Sequence, residues 1–249
     1  MYNATRDAEV NIRYAGDTRD LFKYDLVRHV MRRIPGFERF TFVPMLTEER
    51  FRTTKKKNSK KDLGRAALAG RAGTTNRELM EEMGRLQEIE TDREYFSGIE
   101  SYFGQENIIV DLHHRDTFSR ENRHNYFEEM FARFPAKTLI LLDPDIGLEI
   151  KNPTERHLLF DEVKKIHGMM DAESVLMIYQ HIPRVRRGEY LRKRCRELSD
   201  TTGSPPASIS DGEIVFFLLA REAALRHTLQ GVLSEYTRMY PALFAGICR

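Results

Sequence analysis

The residues best equipped for chemistry follow three apolar runs. After Lys137–Leu142 comes Asp143-Pro144-Asp145, with Glu149 and Lys151 close behind. After Asn107–Leu112 comes His113-His114-Arg115-Asp116, and after Ser174–Tyr179 comes Gln180-His181-Ile182-Pro183-Arg184. Pro144 fixes its own φ and restricts the residue before it, so the Asp143 carboxylate is held in a defined direction. A carboxylate so held can accept hydrogen bonds from an amino group or bind a divalent cation. Tyr179, His181 and Arg184 bring aromatic, imidazole and guanidinium groups to one place, a mixture suited to base stacking and hydrogen bonding. Core packing of Tyr179 is the competing reading.

Two readings of the acids stay open. In one, Asp143 holds an amine. In the other, Asp143, Asp145, Glu149 and His114 hold magnesium or manganese, which would activate water and neutralise phosphate charge. Pro144-Asp145 followed by Glu149-Ile150-Lys151 spells the linear pattern of a metal-dependent nuclease. That site needs a chain reversal between its acids, for which three intervening residues leave little room. His113 and His114 are adjacent on a strand and point to opposite sides, which argues against one shared ion. Near the N-terminus, Tyr14-Ala15-Gly16-Asp17 leads through a Gly turn and an Asp cap into a helix bearing Lys23. Gly70-Arg71-Ala72-Gly73 before a helix start could cradle a phosphate.

The elements that must position these groups alternate. Leu21, Phe22, Leu26, Val30 and Met31 recur at helical spacing over Asp17–Arg33, and Phe40–Val43 is a short strand ended by Pro44. Leu79, Met83, Leu86 and Ile89 mark a helix face. Strands are expected at 107–112, 137–142, 174–179 and 213–219. Helices are expected at 122–134, 154–170 and 188–198, and from about Arg221. Continuous apolar strands alternating with helices predict a Rossmann-like three-layer α/β/α fold, a single domain over 1–249 with a mostly parallel sheet. In such sheets ligands bind beyond the carboxyl ends of the strands, where the polar groups above fall.

Charge is unevenly spread. The 249 residues carry 40 Lys+Arg against 38 Asp+Glu, a net charge of +2. Arg52–Arg77 holds nine basic residues and one acid, and Arg184–Arg196 holds seven against one. The first window lacks aromatics and reads as a basic, at least partly flexible insertion at 52–77. Basic patches on an acidic body suggest a polyanionic partner, DNA or RNA. No apolar run approaches the roughly 20 residues that cross a bilayer, and MYNATRDAEV has no signal-peptide core. Cys195 and Cys248 have no metal-ligand spacing and read as reduced thiols, so a cytoplasmic location is expected.

The order of elements, with Asp143-Pro144 after the fourth-strand position and hairpin-like strands at the end, resembles class I S-adenosylmethionine-dependent methyltransferases. Ala15-Gly16-Asp17 leading to Lys23 is similar to the opening of bacterial ribosomal RNA adenine methyltransferases of the RlmJ type. Leu141-Leu142-Asp143-Pro144 resembles their Asp-Pro-Pro-Tyr motif, which holds the exocyclic amine of a flipped base. The layout is also similar to three-Cys-motif partner proteins. Phe22-Lys23-Tyr24-Asp25-Leu26 and Val43-Pro44-Met45-Leu46-Thr47 resemble proteins of bacteria and mobile elements. The resemblance implies S-adenosylmethionine as cofactor, met by Gly16, Asp17 and Asp111. It implies Asp143, Pro144 and Asp145 at the catalytic edge, with Lys23, Tyr179, His181 and Arg184 toward the nucleic acid. Two departures stand in the sequence. Phe40–Val43 leads into Pro44-Met45-Leu46-Thr47 rather than a Gly-rich loop, and Asp145-Ile146 replaces the second proline and the aromatic residue.

Overall fold

The computed structural model describes residues 15–47, 62–89, 91–113, 118–131 and 135–247. Its centre is a seven-stranded sheet in the order β2-β1-β3-β6-β8-β7-β9. These strands are β1 (Arg39–Met45), β2 (Ile109–Leu112), β3 (Thr138–Pro144), β6 (Val175–His181), β7 (Ala207–Ser210), β8 (Ile214–Ala220) and β9 (Phe244–Ile247). β2, β1, β3 and β6 run parallel, whereas β8, β7 and β9 join through antiparallel pairings. The fold is α/β, parallel at its core and consistent with the Rossmann-like three-layer expectation.

Strand alternation builds two cores. Phe40, Phe42, Leu139, Leu141, Met177 and Phe216 face one side, packed under α1 (Thr18–Arg33), α3 (Arg77–Leu86), α4 (Asp92–Gln105) and α8 (Ala223–Met239). Val43, Ile140, Leu142, Ile178 and Phe217 face the other, under α5 (Arg123–Phe131), α6 (Phe160–Met169) and α7 (Arg187–Thr202). Period two makes this separation automatic once both faces are covered. It also sends Asp143, in step with Leu139 and Leu141, toward α1.

Helix α1 begins where Asp17 accepts the N–H groups of Arg19 at 2.7 Å and Asp20 at 3.2 Å. It stops at Ile34, which Pro35 keeps extended. No helix among the described residues is long and apolar enough to cross a membrane.

Several expectations need correction. The helix drawn over 154–170 starts only at Phe160. Leu158 is instead buried in β5 (His157–Leu158), which pairs in parallel with β4 (Gly147–Leu148). Thr154 turns the chain ahead of it by donating its N–H to His157 Nδ1 at 3.1 Å. Within the supposed insertion, residues 52–61 lie outside the described residues, but 62–77 packs on the fold. It forms α2 (Leu63–Leu68), buries Ala72 and sends Arg71 to Glu213 at 3.2 Å. Gly73, offered as part of a phosphate cradle, instead packs on α1: a Cβ there would lie 2.7 Å from Leu21 Cγ. Cys195 is buried and disulfide-bonded rather than a free thiol. The cysteine count therefore carries no argument for a reducing compartment.

Other elements went unread, α4 and β7 among them. Helix α4 is announced by a Thr91/Glu94 capping box, and β7 is hidden in a polar Ala-Ser-Ile-Ser segment paired on both edges.

Candidate functional site

A cavity of about 210 Å³ opens at the carboxyl ends of β1, β3 and β6. Helix α1 contributes Asp17, Arg19, Asp20 and Lys23; the end of β1 contributes Pro44 and Met45, followed by Leu46 and Thr47. Strand β3 brings Asp143, Pro144 and Asp145, β6 brings Tyr179, and α4 adds Tyr95 and Phe96. Of the residues singled out in the sequence, Asp17, Lys23, Asp143, Pro144, Asp145 and Tyr179 thus meet at one place.

Lys23 is the junction. Its ammonium lies 2.7 Å from Asp20 Oδ1 and 2.7 Å from Asp143 Oδ2, with almost no exposure of its own. It also sits 5.7 Å from the centre of the Tyr179 ring. Asp20 is held further: its Oδ2 accepts from Gly16 N at 3.0 Å and Tyr95 Oη at 3.1 Å. Tyr95 in turn shares a hydrogen bond with Tyr24. A polar chain therefore runs from the cavity into an aromatic core, with its groups paired as buried polar atoms must be.

Burial works against the Lys23 charge, but the Asp143 and Asp20 carboxylates outweigh it and hold the ammonium well above its ordinary pKa. Asp143 responds in the opposite sense. Burial raises its pKa, Lys23 lowers it only in part, and Asp20 and Asp145 add repulsion. With two carboxylates to one ammonium, Lys23 stays charged and Asp143 is the group closer to accepting a proton. Asp17 is likewise raised, by burial and by Asp20. Burial, then Asp143, pushes the Tyr179 hydroxyl well above its usual range, so it remains a neutral phenol.

Asp143 uses one oxygen for Lys23. The other, Oδ1, makes no hydrogen bond among the described residues, and the side chain is 19% exposed on the cavity wall. Asp145 is differently placed: its Oδ2 accepts from Thr47 at 2.8 Å and from Arg156 Nε at 2.6 Å at the half-exposed rim.

The remaining expected residues stand elsewhere. Glu149 accepts the Phe160 N–H at 3.0 Å and thereby caps α6. Of the acids of the metal reading, Asp143 and Asp145 line the cavity and Glu149 does not, and His114 lies outside the described residues. Among the described residues, no three His, Cys, Asp or Glu side chains are grouped to hold a metal ion. His181 and Arg184 are exposed and lie off the cavity wall. Asp111 alternates with Val110 and Leu112, which pack toward the α1 core, so it emerges on the opposite face and pairs with Arg39 at 3.1 Å.

The described residues do not form a cradle for S-adenosylmethionine. Gly16 has φ +70, but a Cβ there would strike Met83 O at 2.3 Å, so its bareness serves packing against α3. Strand β1 runs straight through Pro44 and Met45 without a glycine turn. Asp111 faces away. The segments that follow β1 and β2, residues 48–61 and 114–117, lie outside the described residues.

Sequence reasoning underrated Asp20, Arg19 and Tyr95. The i, i+3 spacing of Asp20 and Lys23 was a readable signal for the first. Tyr95 belonged to an unread helix. The chain matches no protein-family model and no curated protein.

Proposed function

We propose that the protein recognises an amine-bearing base of a nucleic acid, as a methyltransferase-like enzyme or a degenerate relative of that architecture. The observation that carries this reading is the asymmetry of Asp143. Lys23 fixes one oxygen, which leaves Oδ1 to accept an N–H from an exocyclic amine. Tyr179 and Phe96 supply apolar ring surface beside it. The antiparallel β7–β8 pair beyond β6, with β9 added at the sheet edge, supports the layout implied by the resemblance. Exposed Arg184, Arg192 and Arg196, which have no acidic partner among the described residues, favour a polyanionic partner. S-adenosylmethionine would supply the methyl group in the enzymatic form of this reading.

Calorimetry with adenosine and cytidine tests recognition: millimolar or tighter binding is expected, reduced at least about tenfold in Asp143→Ala. Absence of binding by the wild-type protein would sink the reading. A parallel titration with S-adenosylmethionine separates its two forms, since no binding at millimolar cofactor removes methyl transfer and leaves base recognition.

The missing glycine cradle favours a second reading, a non-catalytic nucleic-acid-binding module. It predicts strand binding that weakens steeply with salt through counterion release, with no product formed.

A further inference from the structure

Arg19 joins Lys23 as a cation on the cavity wall. Its backbone N–H is taken by the Asp17 cap, yet its guanidinium makes no hydrogen bond or ion pair among the described residues. The Nε–H is buried and has no acceptor among the described residues. A buried donor in that state carries a desolvation cost that a ligand's oxygen would remove. Four carboxylates line the same cavity, but each is held by other groups: Asp17 by the α1 N–H groups, Asp20 and Asp143 by Lys23, and Asp145 by Arg156.

We propose that Arg19 binds the phosphate of the cavity's ligand, taking one phosphodiester of the strand whose base amine meets Asp143. In naming that ligand the inference rests on the base-recognition reading. Arg19 and Lys23 stand one helical turn apart on α1, and Arg19 lines the same cavity as Tyr179 and Phe96, the proposed base wall. Its planar fork of donors matches phosphate oxygens. The end of α1 itself is closed to an anion, because Asp17 already occupies its first N–H groups with a carboxylate.

Charge selects the diester. Counting Arg156 with the cations, carboxylates at the cavity still outnumber them by one. A phosphomonoester brings about −1.5 to −2 at pH 7 into that excess, whereas a diester brings a single charge. A strand phosphate is therefore preferred to a free nucleotide.

The Arg19 Nε–H resonance of the full chain reports directly, identified by its loss in Arg19→Gln. Dimethyl phosphate, a diester with no base, should move it saturably, and methyl phosphate at pH 7.5 should bind about tenfold more weakly. Adenylyl-adenosine should bind about tenfold tighter than adenosine, an advantage that Arg19→Gln removes. A resonance unmoved by dimethyl phosphate overturns the anion site and leaves base recognition intact. Methyl phosphate binding as tightly as the diester overturns the choice of a strand phosphate. If dimethyl phosphate moves the resonance while adenosine fails to bind, the anion site stands and the base reading falls.

Discussion

Lys23 and Asp143, 120 positions apart in the chain, meet at 2.7 Å beneath the cavity, and Asp20 closes on the same ammonium from one helical turn away. This contact pins α1 to the end of β3 and fixes which Asp143 oxygen remains for a ligand. Two carboxylates sharing one buried ammonium also make the site sensitive to any change in the number of charges.

Removing the ammonium should be costly. Lys23→Met leaves Asp20 and Asp143 facing each other without a counter-charge, and a loss of about 3–5 kcal/mol is expected in urea unfolding. Adding Asp143→Asn to that variant should recover part of the loss. A single-variant loss below about 1 kcal/mol would show that the triad does not hold the fold together.

Amine binding at Asp143 should fail on acidification earlier than an ordinary aspartate would allow. Its pKa is raised above 3.8 by burial, so the carboxyl takes a proton, and stops acting as an ionised acceptor, at a pH above that value. The acid limb of an adenosine affinity profile should lie there. The stability effect has the opposite sign: a carboxyl raised in the folded state favours folding below 3.8 and loses that contribution as pH rises through the folded pKa. An affinity profile flat down to pH 3.8 would remove Asp143 from recognition.

Asp25 should be a structural hub distinct from the site. It is buried and accepts from Tyr236 Oη at 2.8 Å, Tyr240 Oη at 3.0 Å and Asn76 Nδ2 at 2.9 Å, tying α1 to α8 and to the start of α3. Asp25→Ala leaves the Tyr236 hydroxyl and an Asn76 N–H short of an acceptor and Tyr240 with Thr75 alone, and a loss of at least about 3 kcal/mol is expected. Thermal unfolding should register it, with Asp25→Asn milder because one carbonyl oxygen remains.

His167 should make the fold acid-sensitive. It is buried, its Nε2 has no partner among the described residues, and burial followed by Arg221 and Arg226 lowers its pKa to about 4. The unfolded chain takes up its proton near 6.5, so stability should fall as pH drops from there toward 4. His167→Leu should flatten that part of the stability profile. An unchanged profile would assign the acid sensitivity to another group.

The strands were legible because their apolar runs are uninterrupted. The stretches read at 137–142, 174–179 and 213–219 became Thr138–Pro144, Val175–His181 and Ile214–Ala220. Helix α1 was legible from its spacing and its Pro35 stop. The α6 start was misjudged because Leu158 and Leu159 fit a helical period, while the pairing of Gly147-Leu148 with His157-Leu158 is a nonlocal event. Helix α4 could have been found from Thr91 and Glu94, whose spacing is local.

By itself, the sequence determined the alternation of elements, and with it a layered α/β sheet whose polar groups gather at the carboxyl edge. Hydrophobic period and turn chemistry are properties of neighbouring residues and survive reading in one dimension. Which polar groups converge was decided by the tertiary structure alone. Asp143 and Asp111 both sit near strand ends, yet strand parity and register turn the first toward Lys23 and the second to the far face. Asp145 and Glu149 are four positions apart, yet one meets Arg156 at the cavity rim and the other caps α6. The free guanidinium of Arg19 follows from the same cause: the neighbouring carboxylates are satisfied by partners that only folding brings into range.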